Sequence, residues 1–319
     1  MTAPPARALR RDYPILGRRL ALRCNDPRIA ALADRAFGHW LDLPAALIDP
    51  APPVELTINV SPDQAGKPHP THQIAHSWAD GHFISASDDL LAVSNLAEGT
   101  GVARLAPGAL DDEARLIHHV LEAHALQLVT HTGRTPLHAA AVSDGRRAML
   151  LAGPGGAGKS TLCYALVRAG WRLIADDVSF LEITAAPRVW GNTTHIRLLP
   201  DAAGLFVELA RLQPQRLPNG KVKLEAPAPR RAPVGLPCAL VVIGPGRETA
   251  PALMPTTAEA AIDALFANVG PGFDRYPGAR AEALAIARHC AVARLIPADD
   301  PNASALTLTR WFESERGPE

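Results

Sequence analysis

The sequence predicts an α/β chain in two parts, a smaller α+β module followed by a P-loop domain built on a mixed sheet. Three observations predict this. Gly153-Pro154-Gly155-Gly156-Ala157-Gly158-Lys159-Ser160 matches G-x-x-x-x-G-K-[ST], the Walker A phosphate loop. Residues 148–152 before it read as a buried strand, and 161–169 after it read as a helix closed by Gly170. From Leu137 onward strand-like runs alternate with helical ones, whereas short strands dominate before about residue 105.

Composition narrows the class. The chain has 319 residues, 47% of them hydrophobic, enough for one large or two ordinary cores. Formal net charge is zero, which leaves no electrostatic footprint for nucleic acid or an anionic membrane, and neither partner is expected. No apolar run approaches a membrane span, and the Pro- and Arg-containing start lacks a signal-peptide core. Cys24, Cys163, Cys238 and Cys290 are scattered with no C-x-x-C, which predicts reduced thiols and a cytoplasmic protein. Lysine occurs only at Lys67, Lys159, Lys221 and Lys223 among 32 basic residues, so each one draws notice.

In chain order, 20–24 and 54–60 read as strands with a short helix, 29–41, between them. Residues 82–86 and 90–93 form a hairpin across Ser87-Asp88-Asp89, giving a mostly antiparallel sheet. Residues 109–130 read as one helix, with Asp111, Asp112 and Glu113 in its first turn and Ile117, Leu121 and Leu128 on one stripe; it bridges to the second part. Then 139–142, 148–152 and 171–175 read as strands around the P-loop helix, and 178–183 with 188–190 as a hairpin. A strand at 194–199 precedes a helix of about ten residues starting at Pro200. Asn219-Gly220 predicts a two-residue hairpin turn, 225–237 a Pro-rich loop, and 239–243 a buried strand. Thr256-x-x-Glu259 caps a helix reaching Asn268; helix 279–290, strand 292–296 and helix 303–314 complete the chain. The expected domains are 1–105, an α+β module of unknown role, 106–136, a bridging helix and linker, and 137–319, the P-loop domain.

The phosphate loop specifies its own chemistry. Its glycines let backbone N–H groups turn inward as an anion nest, and the helix start beneath adds positive potential. Lys159 would reach the β/γ-phosphates, the Ser160 hydroxyl would ligate Mg²⁺, and Thr161 follows in the cradle. Asp176 and Asp177 lie 16 and 17 residues past Ser160, after one helix and one strand. That path returns the chain beside the P-loop strand with the acids near the phosphates. One carboxylate there can hold Mg²⁺ and the other can accept a proton from an attacking hydroxyl; which does which is open. His138 opens the strand pair entering the loop, where it either tunes the acids or sits as a satisfied core histidine.

Leu137-His138-Ala139-Ala140-Ala141-Val142, the P-loop and Gly170-Trp171-Arg172-Leu173-Ile174-Ala175-Asp176-Asp177 together resemble the kinase domain of HPr kinase/phosphorylase and its relatives. The resemblance covers 137–200 well and 137–300 loosely. It implies an ATP-dependent serine kinase core similar in fold to phosphoenolpyruvate carboxykinase. Lys159 and Ser160 would bind ATP·Mg²⁺, Asp176 and Asp177 would supply metal binding and the catalytic base, and His138 would act behind them. The relatives carry a basic residue on a later hairpin, which Lys221 or Lys223 matches loosely. Gly191-Asn192-Thr193-Thr194-His195-Ile196-Arg197 stands where the relatives carry a glycine- and acid-bearing signature, and the N-terminal part differs from theirs. HPr as substrate, phosphorylase activity and a hexamer are therefore left open, as is any homo-oligomer. Arg197 either touches a phosphate or packs on the sheet.

His69, His72, His76 and His82 form a histidine-rich stretch without a cysteine partner, and His118, His119 and His124 lie on the bridging helix without an H-E-x-x-H pattern. The leading expectation is phosphoryl transfer from ATP to a hydroxyl of a peptide, protein or small molecule. A shikimate-kinase-like small-molecule kinase and a nucleotide-binding regulator without transfer chemistry are the alternatives. An ABC-type ATPase is disfavoured because no L-S-G-G-Q-like segment is present.

Overall fold

Seven short strands, of which the third, fifth, sixth and seventh alternate more and less buried residues, build the first of two units into which the chain divides, Met1–Gly133 and Arg134–Glu319. The computed structural model describes residues 8–61, 74–184, 186–217, 220–266 and 278–315. The first unit runs β1 (Leu9–Ile15), β2 (Arg18–Cys24), α1 (Pro27–Phe37), β3 (Val54–Val60), β4 (Ala75–Ala79), β5 (His82–Ser87), β6 (Leu90–Asn95) and β7 (Thr100–Leu105). Asp26 caps α1 by accepting from the Arg28 backbone N–H at 2.8 Å, and Pro27 presets its first turn. The sheet order is β1-β2-β3-β7-β6-β5-β4. It is mixed: β3 is parallel to β2 and to β7, and the outer pairs are antiparallel.

The helical segment after β7 is not one α-helix. A 3₁₀ turn, Pro107–Asp111, leads to α2 (Glu113–Leu116), a π-helical stretch, Ile117–Glu122, and α3 (Ala123–Thr130). The wider π turn is compatible with burial of His124, Leu128 and Val129 on one side while His118 stays exposed.

The second unit begins β8 (Arg134–Leu137), β9 (Ala139–Ser143), β10 (Arg147–Ala152), α4 (Lys159–Arg168), β11 (Arg172–Ala175), β12 (Ser179–Glu182), β13 (Arg188–Gly191) and β14 (His195–Leu198). It continues with β15 (Gln215–Arg216), β16 (Val222–Pro227), β17 (Val234–Ile243), β18 (Ala252–Pro255), α5 (Ala258–Phe266), α6 (Ala279–Ala287), β19 (Ala291–Ile296) and α7 (Pro301–Ser314). The central sheet runs β11-β9-β10-β17-β13-β12-β8, with β19 and then β18 joined along the later part of β17. The chain is thus a mixed α/β protein with several mixed sheets.

Strands β9 and β10 are buried on both faces, and alternation divides their side chains between two cores. Ala140, Val142, Met149 and Leu151 pack with α4 and α7, while Ala139, Ala141, Leu150 and Ala152 pack with α5 and α6. Truncating Leu151 to alanine in this close-packed layer would cost about 2–5 kcal/mol.

Several expectations are corrected. Strand β11 does not lie beside β10, the strand that enters the glycine-rich turn: β9 intervenes, antiparallel to both. The helix expected from Pro200 is two 3₁₀ segments, Pro200–Gly204 and Val207–Arg211. Between them Phe206 turns extended and is buried against Tyr164, ring centroids 4.8 Å apart. The 225–237 loop instead carries the end of β16 and the start of β17. Thr257, not Thr256, caps α5, its hydroxyl accepting from the Ala260 N–H at 3.1 Å. The β15–β16 register pairs Arg216 with Val222, so the turn is longer than two residues; Asn219 itself lies outside the described residues, as does Asn268.

Candidate functional site

Strand β10 ends at Ala152 and the chain swings into α4 through three glycines at positive φ: Gly153 (154°), Gly156 (82°) and Gly158 (93°). A side chain at Gly153 would press on the Ile243 carbonyl oxygen at 3.1 Å, so the close approach to β17 adds to the conformational demand. Gly158 is the N-cap of α4 and offers no side-chain cap. The first N–H groups of the helix are therefore available to an anion, where the helix dipole favours negative charge.

Lys159 is buried along the loop, its ammonium donating to the carbonyls of Gly153 (2.7 Å) and Pro154 (3.2 Å). Burial pulls its pKa below lysine's ordinary value, against the charges of Asp177 and Asp176, which raise it. Both acids are thus electrostatic neighbours of the loop lysine although β9 separates their strand from β10.

The two carboxylates have opposite environments. Asp176, just past β11, is 4% exposed, and its Oδ2 accepts the Arg197 backbone N–H at 2.7 Å. Its Oδ1 is buried and has no hydrogen-bond partner among the described residues. Burial pushes its pKa up to about 6; the Arg197 N–H and the nearby Ser160 hydroxyl favour the charged form, and Asp177 opposes it. The Ser160 hydroxyl acts on the carboxylate without closing a hydrogen bond to Oδ1. Asp177 has protein on several sides yet keeps most of its side chain in contact with solvent. His138 Nε2 lies 3.2 Å from its Oδ1. That hydrogen bond first, then the His138, Lys159 and Lys221 charges, hold the Asp177 pKa below the usual carboxylate value against partial desolvation.

His138 owes its place to a switch of pairing partner. Strand β8 pairs with β12, then β9 pairs with β10 and β11, and His138 is the residue between them. Arg197 lies on β14 opposite Glu225 of β16, and its Nε donates to Glu225 Oε1 at 3.0 Å. Its guanidinium is thus engaged across the strand pair while its backbone holds Asp176. Lys221 brings positive charge to Asp177, whereas Lys223 lies within β16, paired with Gln215.

One contributor was not singled out from sequence for any role. A Cβ on Gly191, at the end of β13, would overlap the Ile174 carbonyl. The missing side chain lets β13 close on the end of β11 that carries the acids. Only a topology placing β13 against β11 reveals that requirement.

Among the described residues no group of three or more His, Cys, Asp or Glu side chains is placed to hold a metal ion. A magnesium ion at a nucleotide needs fewer protein ligands, because phosphates and water complete its shell. The buried, unbonded Asp176 Oδ1 and the Ser160 hydroxyl are oxygen donors of the kind that cation takes, and they fit it.

The histidines of the first unit form a separate cluster. His119 Nδ1 meets His76 Nε2 (2.9 Å), His76 Nδ1 meets Ser85 Oγ (2.8 Å), Ser85 Oγ meets His124 Nε2 (2.9 Å), and His124 Nδ1 meets Ser94 Oγ (2.8 Å). Burial drives the pKa of His124 down to about 3 and that of His119 down to about 4. His82 bonds the Asp80 carbonyl instead, and His69 and His72 lie outside the described residues. No helix among the described residues is long and apolar enough to cross a membrane.

No protein-family model and no curated protein sequence matches this chain. Among solved structures, the chain is similar to the Hpr(Ser) kinase/phosphatase from Coxiella burnetii at 13% identity and a TM-score of 0.30, over 57% of this chain and 90% of that one.

Proposed function

We propose that the second unit is a P-loop kinase domain of the HPr kinase type, which transfers the γ-phosphoryl group of ATP to a hydroxyl. The observation that carries this reading is the arrangement of Lys159, Ser160, Asp176 and the Asp177–His138 pair around the start of α4. A passive nucleotide holder needs the loop; it does not need a second, solvent-facing acid braced by a histidine.

In this reading the loop N–H groups, the α4 N-terminus and Lys159 hold the polyphosphate, Lys159 leaving the Gly153 and Pro154 carbonyls for phosphate oxygens. Asp176 Oδ1 and Ser160 hold Mg²⁺, which supplies charge neutralisation across the phosphates. Asp177 accepts the acceptor's hydroxyl proton. His138 and Lys221 keep it ionised, and His138 fixes its orientation. Lys221, whose charge reaches Asp177, would also help to neutralise the transferring group. The acceptor is a hydroxyl of a peptide, protein or small molecule, with serine as the class the sequence resemblance implies.

The test is nucleotide binding and ADP release with Mg²⁺ for the full chain and for Lys159→Ala. Loss of ATP affinity by about a hundredfold with an unchanged fold is expected. Unchanged affinity in Lys159→Ala would remove the phosphate-loop assignment.

A further inference from the structure

Thr193, Thr194 and His195 lie where β13 passes into β14, and both sides of that connection are fastened to the segment that carries the acids. On one side Gly191 closes on the Ile174 carbonyl, and its N–H donates to the Pro233 carbonyl (3.2 Å). On the other the Arg197 N–H donates to Asp176 Oδ2 (2.7 Å). We propose that Thr194 is a phosphoryl acceptor in cis: the chain transfers the γ-phosphoryl group of ATP to its own Thr194 hydroxyl. The inference rests on the kinase reading above and adds a modification site to it.

Reach is the first argument. Thr194 is three residues from Gly191 and three from Arg197. Three residues span at most about 11 Å when fully extended, so Thr194 stays close to both anchors. Asp176, held by the second anchor, has the Ser160 hydroxyl of the phosphate loop as its neighbour.

The hydroxyl chemistry then singles out one side chain. Thr194 Oγ1 lies 2.8 Å from His195 Nδ1, the contact between nucleophile and base that activates a hydroxyl. Two neighbouring hydroxyls lack it. Thr193 Oγ1 donates to the His195 carbonyl (2.8 Å), which cannot take up a proton. Ser179, two residues past Asp177, is fully buried and donates to the Ala139 carbonyl (2.8 Å). Thr194 is half-buried and His195 exposed, so the pair is open to an incoming phosphate. His195 also opens β14, opposite Pro227 of β16, so the strand fixes its backbone while its ring meets Thr194.

In the transfer, Thr194 Oγ1 forms a bond to the γ-phosphorus. The bond from that phosphorus to the β–γ bridging oxygen breaks, and ADP leaves with the electron pair. The hydroxyl proton passes to His195 Nδ1 while the ring's own proton sits on Nε2, and the imidazolium then returns a proton to water. The products are ADP and phosphothreonine.

The experiment incubates the full chain, with no added acceptor, with γ-labelled ATP·Mg²⁺ and maps the label by peptide mass spectrometry. Wild type, Thr194→Ala, Thr194→Ser and His195→Ala are compared, and ATP·Mg²⁺ affinity is measured for each. Neither residue is buried, so the variants should fold. The expected result is an acid-stable gain of one phosphate at Thr194, at a rate per chain independent of protein concentration. Thr194→Ala should lose the label, Thr194→Ser should keep it, and His195→Ala should slow labelling by about a hundredfold with unchanged ATP·Mg²⁺ affinity. ATP·Mg²⁺ bound by wild type with no label on the chain, an acid-labile label on His195, or a rate that rises with chain concentration would overturn the proposal while leaving the kinase reading standing. So would labelling of Thr194→Ala or His195→Ala equal to wild type. Failure of the folded wild type to bind ATP·Mg²⁺ would overturn the kinase reading, and this site with it.

Discussion

Arg197 holds Asp176 through its backbone and not through its charge: its N–H donates to Asp176 Oδ2 at 2.7 Å, while its guanidinium is committed to Glu225. Arg197→Ala keeps the donor and should leave turnover within a few-fold of wild type. Arg197→Pro removes it, on an edge strand where proline is tolerated. Loss of a hydrogen bond to a buried charged group costs about 1.5–3 kcal/mol. Arg197→Pro should therefore lower kcat by tenfold or more. Equal activity in the two variants would show that the Asp176–Arg197 bond is idle.

Asp176 gives a pH prediction with a definite sign. Its folded pKa, about 6, lies above the ordinary 3.8, so folding favours the protonated form. This group's cost to stability is absent below about pH 4, grows as pH rises toward 6, and is complete above it. Asp176→Asn should therefore stabilise the nucleotide-free chain at pH 8, by an amount on the order of 2–3 kcal/mol, and hardly at all at pH 4. The same variant should lose the stabilisation that ATP·Mg²⁺ confers on wild type. Thermal unfolding at both pH values, with and without ATP·Mg²⁺, reads all four results.

The histidine chain of the first unit predicts the opposite trend. His124 and His119 have folded pKa values near 3 and 4, below the ordinary 6.5. The stability they confer is present above about pH 6.5 and is lost as pH falls toward those values. Amide protection factors in β5 and β6, taken relative to the intrinsic exchange rate at each pH, should fall between pH 7 and 5 while those in β9 and β10 do not. Ser85→Ala leaves His124 Nε2 and His76 Nδ1 without their shared partner and should cost about 1–3 kcal/mol. Protection factors in β5 that stay constant from pH 7 to 5 would contradict the account.

Gly191→Ala should be among the most damaging single substitutions in the second unit. Its methyl group would overlap the Ile174 carbonyl two residues before Asp176, and the atoms it would meet are backbone, with no flexible side chain to yield. A loss of about 3 kcal/mol or more is expected from such overpacking, with weaker Mg²⁺-dependent nucleotide binding in whatever folds. A variant as stable as wild type would show that β13 does not close on β11.

The strand-turn-helix from β10 into α4 and the place of Asp176 and Asp177 after the next strand were legible in the sequence because their signals are local. Glycine spacing encodes the turn from β10 into α4, and one helix plus one strand sets the distance to Asp176 and Asp177. The intervening β9 was not legible, since strand order depends on pairings between distant segments and β9 reads as any buried strand would. The same applies to the histidine chain. The β4-β5-β6 register sets His76, Ser85 and Ser94, and α3 brings His124 onto Ser85 and Ser94; their spacing along the chain announces nothing. The Pro200 segment departs from a helix for a tertiary reason: burying Phe206 against Tyr164 of α4 outweighed a weak helical pattern interrupted by Gly204.

The central claim is tested most directly by following the γ-phosphoryl group of labelled ATP into hydroxyl-bearing acceptors from a cell extract, read as a one-phosphate mass gain, with wild type and Asp177→Asn side by side. The account predicts a labelled acceptor with wild type, a loss of about a hundredfold or more with Asp177→Asn, and equal ATP·Mg²⁺ affinity in the two proteins. ATP bound by wild type with no acceptor labelled, or equal transfer by the two proteins, would contradict it.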